Sequence, residues 1–239
     1  MVKAAFLEED VSKSCNLTSA NSINISRLIP QMLYYFEAAR QFDKPPVFVI
    51  PSGNFGNLTA LLLATRMGLK VGHIVAATNV NDVVPEYLNS AKYEPRPSTA
   101  TISNAMDVGA PSNFARMKEI FGNDWKSMTE SISGFAYDDT YTREAIKKVY
   151  QRYGYVIDPH GAVGYLAAEK WLENHPDDST VILETAHPAK FPDIIIQELG
   201  EEVLETPERL ACLADKPKTS ILMEAKNQAL VAWLNSNLV

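Results

Sequence analysis

The segment IPSGNFGNLTALLLATRMG, residues 50–68, limits the possible folds more than any other part of the chain. The apolar run PPVFVIPS enters a loop with two glycines and two asparagines (residues 52–57, the glycine loop), and a nearly all-apolar helical pattern follows. The next apolar run, KVGHIVAATN, indicates a second buried strand. Strand, helix and strand in this order predict a β-α-β unit with parallel strands and a right-handed crossover.

The rest of the chain continues this alternation. Helical patterns occur in residues 21–42, in NFARMKEIFG, TYTREAIKKVYQRYG and HGAVGYLAAEKWLENH, and near the end in TPERLACLA and residues 220–238. The run STVILETAHPAKF indicates a further buried strand that leads into a polar loop. We therefore expect an α/β fold with a mostly parallel sheet and helices on both faces.

Residues 93–114, YEPRPSTATISNAMDVGAPSNF, form the least regular segment. The segment is rich in proline, serine and asparagine, which are typical of turns and loops. We expect a long loop or inserted excursion between the two halves of the sheet. No firm domain boundary follows from the composition, so residues 1–239 are treated as one part.

Composition and charge exclude several classes of protein. The net charge of −7 and the absence of a cation cluster argue against a nucleic-acid surface. Cys15 and Cys212 have no metal-ligand spacing and suggest no disulfide framework, so we expect a cytoplasmic protein without a metal site. No apolar run reaches the roughly 20 residues that span a bilayer. The expected partner is a small molecule.

The glycine loop lies where an anion would bind in an open α/β sheet. Ligands bind there beyond the carboxyl ends of the strands and meet the free N–H groups of the following helix. Gly53 and Gly56 allow positive φ and close backbone approach, while Ser52, Asn54 and Asn57 add side-chain donors. The alternative is a tight turn in which the asparagines cap the helix. Neither the dinucleotide fingerprint nor the nucleotide P-loop pattern is present.

Five motifs together resemble one enzyme family. SGNFGN after a strand, NSINISRLIPQ upstream and ETAHPAKF downstream are similar to threonine synthases, as are DPHGAVGY and SNAMDVGAPSNF. These enzymes depend on pyridoxal phosphate and belong to the tryptophan synthase β-subunit class, fold type II. The first three motifs follow the family's order, and the resemblance covers essentially the whole chain.

The resemblance implies how the cofactor would be held. Its phosphate would contact Gly53, Asn54, Phe55, Gly56 and Asn57. A hydroxyl residue of the family faces the pyridine nitrogen, and the matching position is Thr185. Without the resemblance, a threonine at a strand end more often caps a turn. His187 and Lys190 follow in the same loop, and we assign neither a role.

The family's reaction converts O-phospho-L-homoserine and water to L-threonine and phosphate, so a second phosphate must be bound. The resemblance implies that Asn21, Ser22 and Arg27 contact the substrate phosphate. Asn21 and Ser22 lie at a predicted helix start, where free N–H groups favour anions, and Arg27 offers a planar fork. The alternative is an ordinary helix cap with an exposed arginine.

The family's Schiff-base lysine lies in a Phe-Lys-Asp motif well before the glycine loop. Upstream of Ser52 the lysines are Lys3, Lys13 and Lys44, and none has that setting. We therefore expect the carboxyl-terminal portion of a threonine synthase, without an amino-terminal part, without a catalytic residue and inactive alone. Uncovered apolar surface should make it self-associate, whereas the full-length enzyme is expected to be a monomer.

Other functions stay open from the sequence. Another fold type II enzyme, such as a threonine or serine dehydratase or a cysteine synthase, would share the glycine loop but need no substrate-phosphate site. A non-catalytic module that binds a phosphate ligand would need no lysine. A doubly wound nucleotide-binding protein is disfavoured because the fingerprint is absent.

Overall fold

A computed structural model describes residues 2–6, 8–15, 17–18 and 21–237. The chain divides into two compact units: the first comprises residues 1–24 and 208–239, and the second comprises residues 25–207. The sequence analysis did not predict this division.

The helices and strands follow in chain order. The helices are α1 Val2–Ala5, α2 Glu9–Cys15, α3 Leu28–Ala39, α4 Gly56–Arg66, α5 Val83–Ser90, α6 Phe114–Ile120, α7 Trp125–Ser131, α8 Asp139–Tyr153, α9 Pro159–Leu172, α10 Pro192–Leu199, α11 Glu208–Ala211 and α12 Asn227–Asn237. The strands are β1 Val47–Pro51, β2 His73–Thr78, β3 Ile132–Ala136 and β4 Thr180–Ile182. Short 3-10 turns span Ile25–Arg27, Asn104–Met106, Pro188–Lys190 and Glu201–Val203.

The strands form a parallel sheet in the order β3-β2-β1-β4. Val49 in β1 lies opposite Val75 in β2 and Ile182 in β4. The predicted β-α-β unit is confirmed, because β1 and β2 are parallel neighbours joined through α4. The sequence analysis missed β3, since ISGFA has no continuous apolar run. Gly134 in β3 allows α5 to pack closely against the strand. A Cβ at this position would lie 2.8 Å from the Cα of Pro85.

Alternate residues of β1 point to opposite faces of the sheet, as strand geometry requires. Phe48 and Ile50 join a buried cluster with residues of α3 and α4. Val47 and Val49 join a second cluster with residues of α9. Helices therefore cover both faces, and the predicted α/β class is confirmed.

Two predicted helices begin later than expected. The pattern in residues 21–42 gives the 3-10 turn Ile25–Arg27 and then α3, so the helix proper starts at Leu28. The pattern in residues 220–238 gives α12 over Asn227–Asn237, and Leu238 lies outside the described residues. In both places the residues before the helix favour turns over continued helix.

The excursion is bound to the end of β2 by buried polar groups. One oxygen of Asp107 accepts hydrogen bonds from the side chains of Asn79 at 2.9 Å and Thr101 at 2.7 Å. The other oxygen accepts from the backbone N–H of Thr101 at 3.0 Å. Asn81 bonds to Thr99 in both directions, at 2.9 and 2.8 Å. The segment is thus a cross-bonded layer at the carboxyl edge of the sheet.

The first unit has a small apolar core of its own. Ala5, Val11 and Leu234 are buried together where α1 and α2 pack against α12. The side chain of Asn227 donates to Glu8 at 3.0 Å. The predicted helix in TPERLACLA is present as the short α11, and Pro207 directly precedes it.

Candidate functional site

The candidate site lies where β1 and β4 end. These strands are parallel neighbours, so the segments that follow them meet at the same edge of the sheet. The N–H of Leu183 continues the pairing and donates to the carbonyl of Val49 at 2.9 Å. The glycine loop and Thr185 therefore belong to one edge, as the sequence predicted.

The glycine loop turns through Phe55 rather than through a glycine. Phe55 has φ 57° and ψ 24°, the left-handed region, and it immediately precedes α4. Neither Gly53 nor Gly56 has a positive φ, so the prediction that they supply this conformation is wrong. The ring of Phe55 is 2% exposed, and its burial in the core holds a backbone conformation that a side chain ordinarily avoids.

Gly53 provides close approach between two backbone segments. A Cβ at this position would lie 2.5 Å from the Cα of Met106 and 2.9 Å from the carbonyl oxygen of Ala105. Any side chain there would collide with the 3-10 turn Asn104–Met106. The predicted close approach is therefore correct, and here the approaching group is the protein's own backbone.

The glycine loop has backbone donors available for a ligand. The N–H of Ser52 donates to Ala77 at 2.9 Å, and that of Leu58 donates to the side chain of Asn57 at 2.9 Å. The N–H groups of four residues make no hydrogen bond within the described part of the chain, namely Gly53, Phe55, Gly56 and Asn57. The helix has no side-chain cap. These amides and the positive end of α4 suit an anion.

Two side chains that were expected to bind the ligand instead hold the loop. The hydroxyl of Ser52 donates to the side-chain oxygen of Asn57. The side-chain N–H of Asn57 donates to the carbonyl of Pro51 at 2.9 Å. Ser52 and Asn57 therefore fix the shape of the turn, while the backbone N–H of Asn57 makes no hydrogen bond within the described residues.

Asn54 joins the glycine loop to the end of the excursion. Its side-chain oxygen accepts from the N–H of Ser112 at 2.7 Å and from the hydroxyl of Ser112 at 3.0 Å. Its carbonyl accepts from the side chain of Asn113 at 3.0 Å. The SNAMDVGAPSNF motif thus contacts the loop at both ends, through Met106 near one and Ser112 near the other.

Thr185 is exposed, three residues after β4 ends. Its hydroxyl makes no hydrogen bond to any residue that the structure describes. A hydroxyl that caps a turn would have such a bond, so the capping alternative is wrong within the described residues. The group is available to a ligand at the edge of the sheet.

Glu184, next to Thr185, is held by two donors. Its carboxylate accepts from the hydroxyl of Tyr155 at 2.6 Å and from the N–H of Asp158 at 3.3 Å. Burial raises the pKa of Glu184 above its usual value, and the two hydrogen bonds oppose that shift. Burial and the bond to Glu184 together raise the pKa of Tyr155 to about 12. This contact links the end of β4 to the start of α9.

His187 and Lys190 occupy different settings. A ring nitrogen of His187 accepts from the N–H of Ala189 at 3.1 Å and caps the turn Pro188–Lys190. Lys190 is exposed and lines an open pocket of about 310 Å³ with residues that include Asn104. His187 therefore has a structural role, because it caps a turn.

The predicted substrate-phosphate residues fall in both units. Asn21 and Ser22 lie in a turn of the first unit, where Ser22 donates to Asn21 at 3.3 Å. Arg27 lies in the second unit, exposed at the end of a 3-10 turn. The expectation that Asn21 and Ser22 start a helix is wrong, because α3 begins at Leu28. Their contact with a substrate stays a prediction.

Sequence reasoning missed the pair Asp158 and His160. Asp158 caps α9 and is fully buried, and one of its oxygens lies 2.7 Å from Nδ1 of His160. Nε2 of His160 accepts from the N–H of Ala105 at 3.2 Å. The signal was the DPH sequence at a helix start, but the partner segment lies 55 residues away.

The described residues contain neither a metal site nor a membrane-spanning helix. No group of three or more His, Cys, Asp and Glu side chains there is arranged to hold a metal ion. In the same part of the chain, no helix is long and apolar enough to cross a membrane.

The sequence matches two known protein families. The family described as pyridoxal-phosphate dependent enzyme matches residues 5–185, which include the glycine loop and Thr185. The family described as threonine synthase, C-terminal, matches residues 161–233. The first match covers most of the chain.

Relatives and solved structures agree with these matches. The threonine synthase of Escherichia coli is 43% identical over 96% of this chain and 54% of its own length. Its crystal structure has a TM-score of 0.90, covering 98% of this chain and 55% of that one. A threonine synthase of Brucella melitensis with bound pyridoxal phosphate has a TM-score of 0.84 at 30% identity, covering 99% of this chain and 56% of that one.

This chain spans about half the length of the curated relatives it matches. More distant structures, such as maize serine racemase at 18% identity and a TM-score of 0.53, share the fold. The chain belongs to the pyridoxal-phosphate dependent enzyme family, and the relatives that it matches at 41–43% identity are threonine synthases.

Proposed function

We propose that this chain forms the part of a threonine synthase that holds the phosphate of pyridoxal phosphate. The complete enzyme would convert O-phospho-L-homoserine and water to L-threonine and phosphate. One observation carries the proposal: the backbone N–H groups of Gly53, Phe55, Gly56 and Asn57 make no hydrogen bond within the described residues, and they lie at the edge where the Thr185 hydroxyl is also available. The sequence identity to threonine synthases supports the choice of reaction.

The residues fit the cofactor by their chemistry. Backbone N–H groups of Gly53, Phe55, Gly56 and Asn57 bind the phosphate, and Asn54 holds the loop against the excursion. Thr185 offers a neutral hydroxyl to the pyridine nitrogen. A hydroxyl does not keep that nitrogen protonated as a carboxylate would, so it tunes the ring as a weaker electron sink. When bound, the cofactor supplies the electron-withdrawing ring that the chemistry needs.

The proposed contact with the substrate phosphate is tested at Arg27, which belongs to the same unit as the glycine loop. A guanidinium can bond two phosphate oxygens at once, which supports Arg27. Arg27→Gln should weaken O-phospho-L-homoserine binding about tenfold because a charged bidentate contact is lost. Arg40→Gln is the control, since Arg40 is exposed and pairs with Glu37. Equal binding by both variants would contradict the assignment.

None of these 239 residues is assigned the covalent role of the Schiff-base lysine. Lys44 precedes two prolines, and Lys13 pairs with Glu9 on α2 at 2.9 Å, which gives neither the Phe-Lys-Asp setting of the family. We expect no synthase activity from the chain alone. Borohydride reduction followed by peptide mass spectrometry tests this, and a pyridoxyl adduct on one specific lysine would contradict it.

Amide NMR of the chain tests the phosphate site directly. Adding inorganic phosphate or pyridoxal phosphate should shift the N–H resonances of Gly53, Gly56 and Asn57. Thr185→Ala should weaken pyridoxal phosphate binding roughly three- to tenfold, the size of one hydrogen bond, and leave inorganic phosphate binding unchanged. Thr140→Ala, at an exposed threonine of α8, is the control. Loop resonances that ignore both ligands would contradict the proposal.

A non-catalytic phosphate-binding module is the second candidate, favoured by the same unbonded amides. It predicts that Thr185→Ala has no effect on pyridoxal phosphate. A dehydratase of the same fold predicts no site for a second phosphate. Structures of such enzymes, including a fungal L-serine ammonia-lyase at 14% identity, share the fold with this chain.

We also infer that the chain associates with itself through α3. Leu28 and Tyr35 on one side of this helix are fully buried. The other side exposes an apolar stripe, with Ile29 53% exposed and Leu33 66% exposed. Exposed apolar stripes of this kind on a helix mark interaction surfaces, so the stripe favours a second copy of the chain.

Light scattering tests the association. Leu33→Lys should lower the measured mass toward that of one chain. Met67→Lys is a matched control, because Met67 is 67% exposed and lies after α4. A wild-type chain that is monomeric at high concentration would contradict the inference.

A cytoplasmic location is the last part of the proposal. Cys15 is half-buried, Cys212 is exposed, and no disulfide joins the two. A sequence with only two, widely separated cysteines suggests no disulfide framework, and proteins of this kind are typical of reducing compartments, which supports the cytoplasm. The acidic net charge supports a small-molecule substrate over nucleic acid.

A further inference from the structure

His160 lies outside the glycine loop yet is connected to it through one short segment. The side chain is buried and packs against the ring of Phe191, with centroids 4.9 Å apart. Nδ1 lies 2.7 Å from a carboxylate oxygen of Asp158, and Nε2 lies 3.2 Å from the backbone nitrogen of Ala105. Both ring nitrogens are therefore engaged.

These two contacts define the form of the ring. The backbone N–H of Ala105 can only donate, so Nε2 must carry a lone pair. Nδ1 then carries the hydrogen and donates to Asp158. An imidazolium would place a second hydrogen against the N–H of Ala105, and the contact would be lost. The contact needs the neutral ring.

The contact to Ala105 reaches the glycine loop through the 3-10 turn Asn104–Met106. The backbone of Ala105 and Met106 lies directly against Gly53, where a Cβ would be 2.5 Å from the Cα of Met106. A displacement of this turn would alter the space beside Gly53. Met106 itself is buried in the apolar core. The turn is therefore held both by the packing of Met106 and by the contact between Ala105 and His160.

We propose that His160 is a positioning residue that holds the turn Asn104–Met106 against Gly53 and so sets the geometry of the phosphate-binding amides. Asp158 orients the ring, and its own N–H bonds to Glu184 beside Thr185. The same chain of contacts therefore joins both sequence segments that the cofactor is proposed to touch. The inference rests on the proposed function for its ligand, but not for the loop geometry.

The test uses the whole chain and two substitutions. His160→Phe keeps a ring against Phe191 and removes both polar contacts. His160→Gln keeps a side-chain oxygen that can accept from Ala105. We expect amide hydrogen exchange at Ala105 to rise roughly tenfold in H160F and less in H160Q, with shifted Gly53 and Gly56 resonances in the absence of ligand.

Ligand binding gives the second measurement. Pyridoxal phosphate affinity should fall roughly three- to tenfold in H160F and be partly restored in H160Q. Long-range proton–nitrogen spectra of the wild type should show hydrogen on Nδ1 of His160. Hydrogen on Nε2, or unchanged Gly53 and Gly56 resonances in H160F, would overturn the inference. A wild-type chain that binds no pyridoxal phosphate would overturn the proposed function, while the ligand-free resonances would still decide the role of His160.

Discussion

The two ends of the strands are built in different ways: the carboxyl edge of the sheet, where the strands end, and the amino edge, where they begin. At the carboxyl edge, hydrogen bonds among Asn79, Thr101 and Asp107 hold the loops together. At the amino edge, aromatic rings stack: Trp171 lies between His73 at 4.4 Å and His175 at 3.8 Å, measured between ring centroids. The same sheet thus ends in a polar layer on one side and in a stacked cluster on the other.

The difference follows from whether backbone N–H groups at that edge must stay available for a ligand. Stacked rings fill space with apolar contact and present few donors. Polar side chains such as Asn54 and Asn57 can hold a loop by their own bonds and leave nearby backbone N–H groups for an anion. A binding edge therefore uses side-chain bonds for structure and backbone groups for the ligand.

The largest effect should come from removing the acceptor at the centre of the polar layer. Asp107→Ala leaves the side-chain amides of Asn79 and Asn81 without their carboxylate and should lower the free energy of unfolding by about 3 kcal/mol. Asp107→Asn keeps one oxygen and should cost about 1 kcal/mol. Urea unfolding measures both. Equal stability of D107A and the wild type would show that the layer does not hold this edge.

Gly53→Ala should have the next largest effect. The added Cβ meets the backbone of Met106, which has no flexible group to move away, so the free energy of unfolding should fall by about 2 kcal/mol. Binding of pyridoxal phosphate should be lost, because the loop must shift. Gly122→Ala is the control: its Cβ would meet no atom within 4 Å, although its φ of +61° costs about 1 kcal/mol. A G53A chain that still binds the cofactor would contradict the role of Gly53.

The amino edge should respond differently. Trp171→Phe loses the bond from the indole N–H to Asp178 at 2.9 Å and part of the stack, which should cost about 1 kcal/mol in unfolding free energy. Cofactor binding should not change, since the stack lies at the opposite edge. Trp125→Phe is the matched control, because its indole N–H also donates a hydrogen bond, here to the backbone carbonyl of Tyr87 at 3.0 Å, while its ring stacks on no other ring among the described residues. Weaker cofactor binding in W171F alone would break the comparison between the edges.

The smallest effect concerns pH. Burial lowers the pKa of His73 below its usual value of 6.5, and His175 lowers it further, while Asp178 opposes the shift. As the pH falls through 6.5, His73 takes up a proton in the unfolded chain but stays neutral in the folded chain. The free energy of unfolding that His73 contributes is therefore fully present above pH 6.5 and decreases as the pH drops below it. His73→Gln should remove that slope and keep a partner for Ser133. Urea unfolding at several pH values checks this, and an unchanged slope would contradict it.

The sequence predicted the parts of the fold that depend on local pattern. The β-α-β unit around the glycine loop follows from two apolar runs and the helical pattern between them. Strand β3 was missed because Ser133 and Gly134 interrupt its apolar character. Its place is set by pairing with β2, which no local pattern shows.

The sequence predicted where the candidate site lies in the fold, but not its backbone conformation or the contacts that hold it. Pattern and resemblance put the glycine loop and Thr185 at one edge, and the structure agrees. The positive φ of Phe55 was not predictable, since it depends on a buried ring rather than on residue type. The contact between His160 and Ala105 joins segments that only the folded chain brings together.

The order of the strands has a consequence for folding. β1 lies between β2, which follows it closely in sequence, and β4, whose Thr180 pairs with Val47 across more than half of the chain. Contacts between such distant segments form slowly, because a long loop must close first. During synthesis the β-α-β unit can form early, while one side of β1 stays unpaired until β4 has left the ribosome. That unpaired edge is where a nascent chain of this protein is most exposed to aggregation and to chaperones.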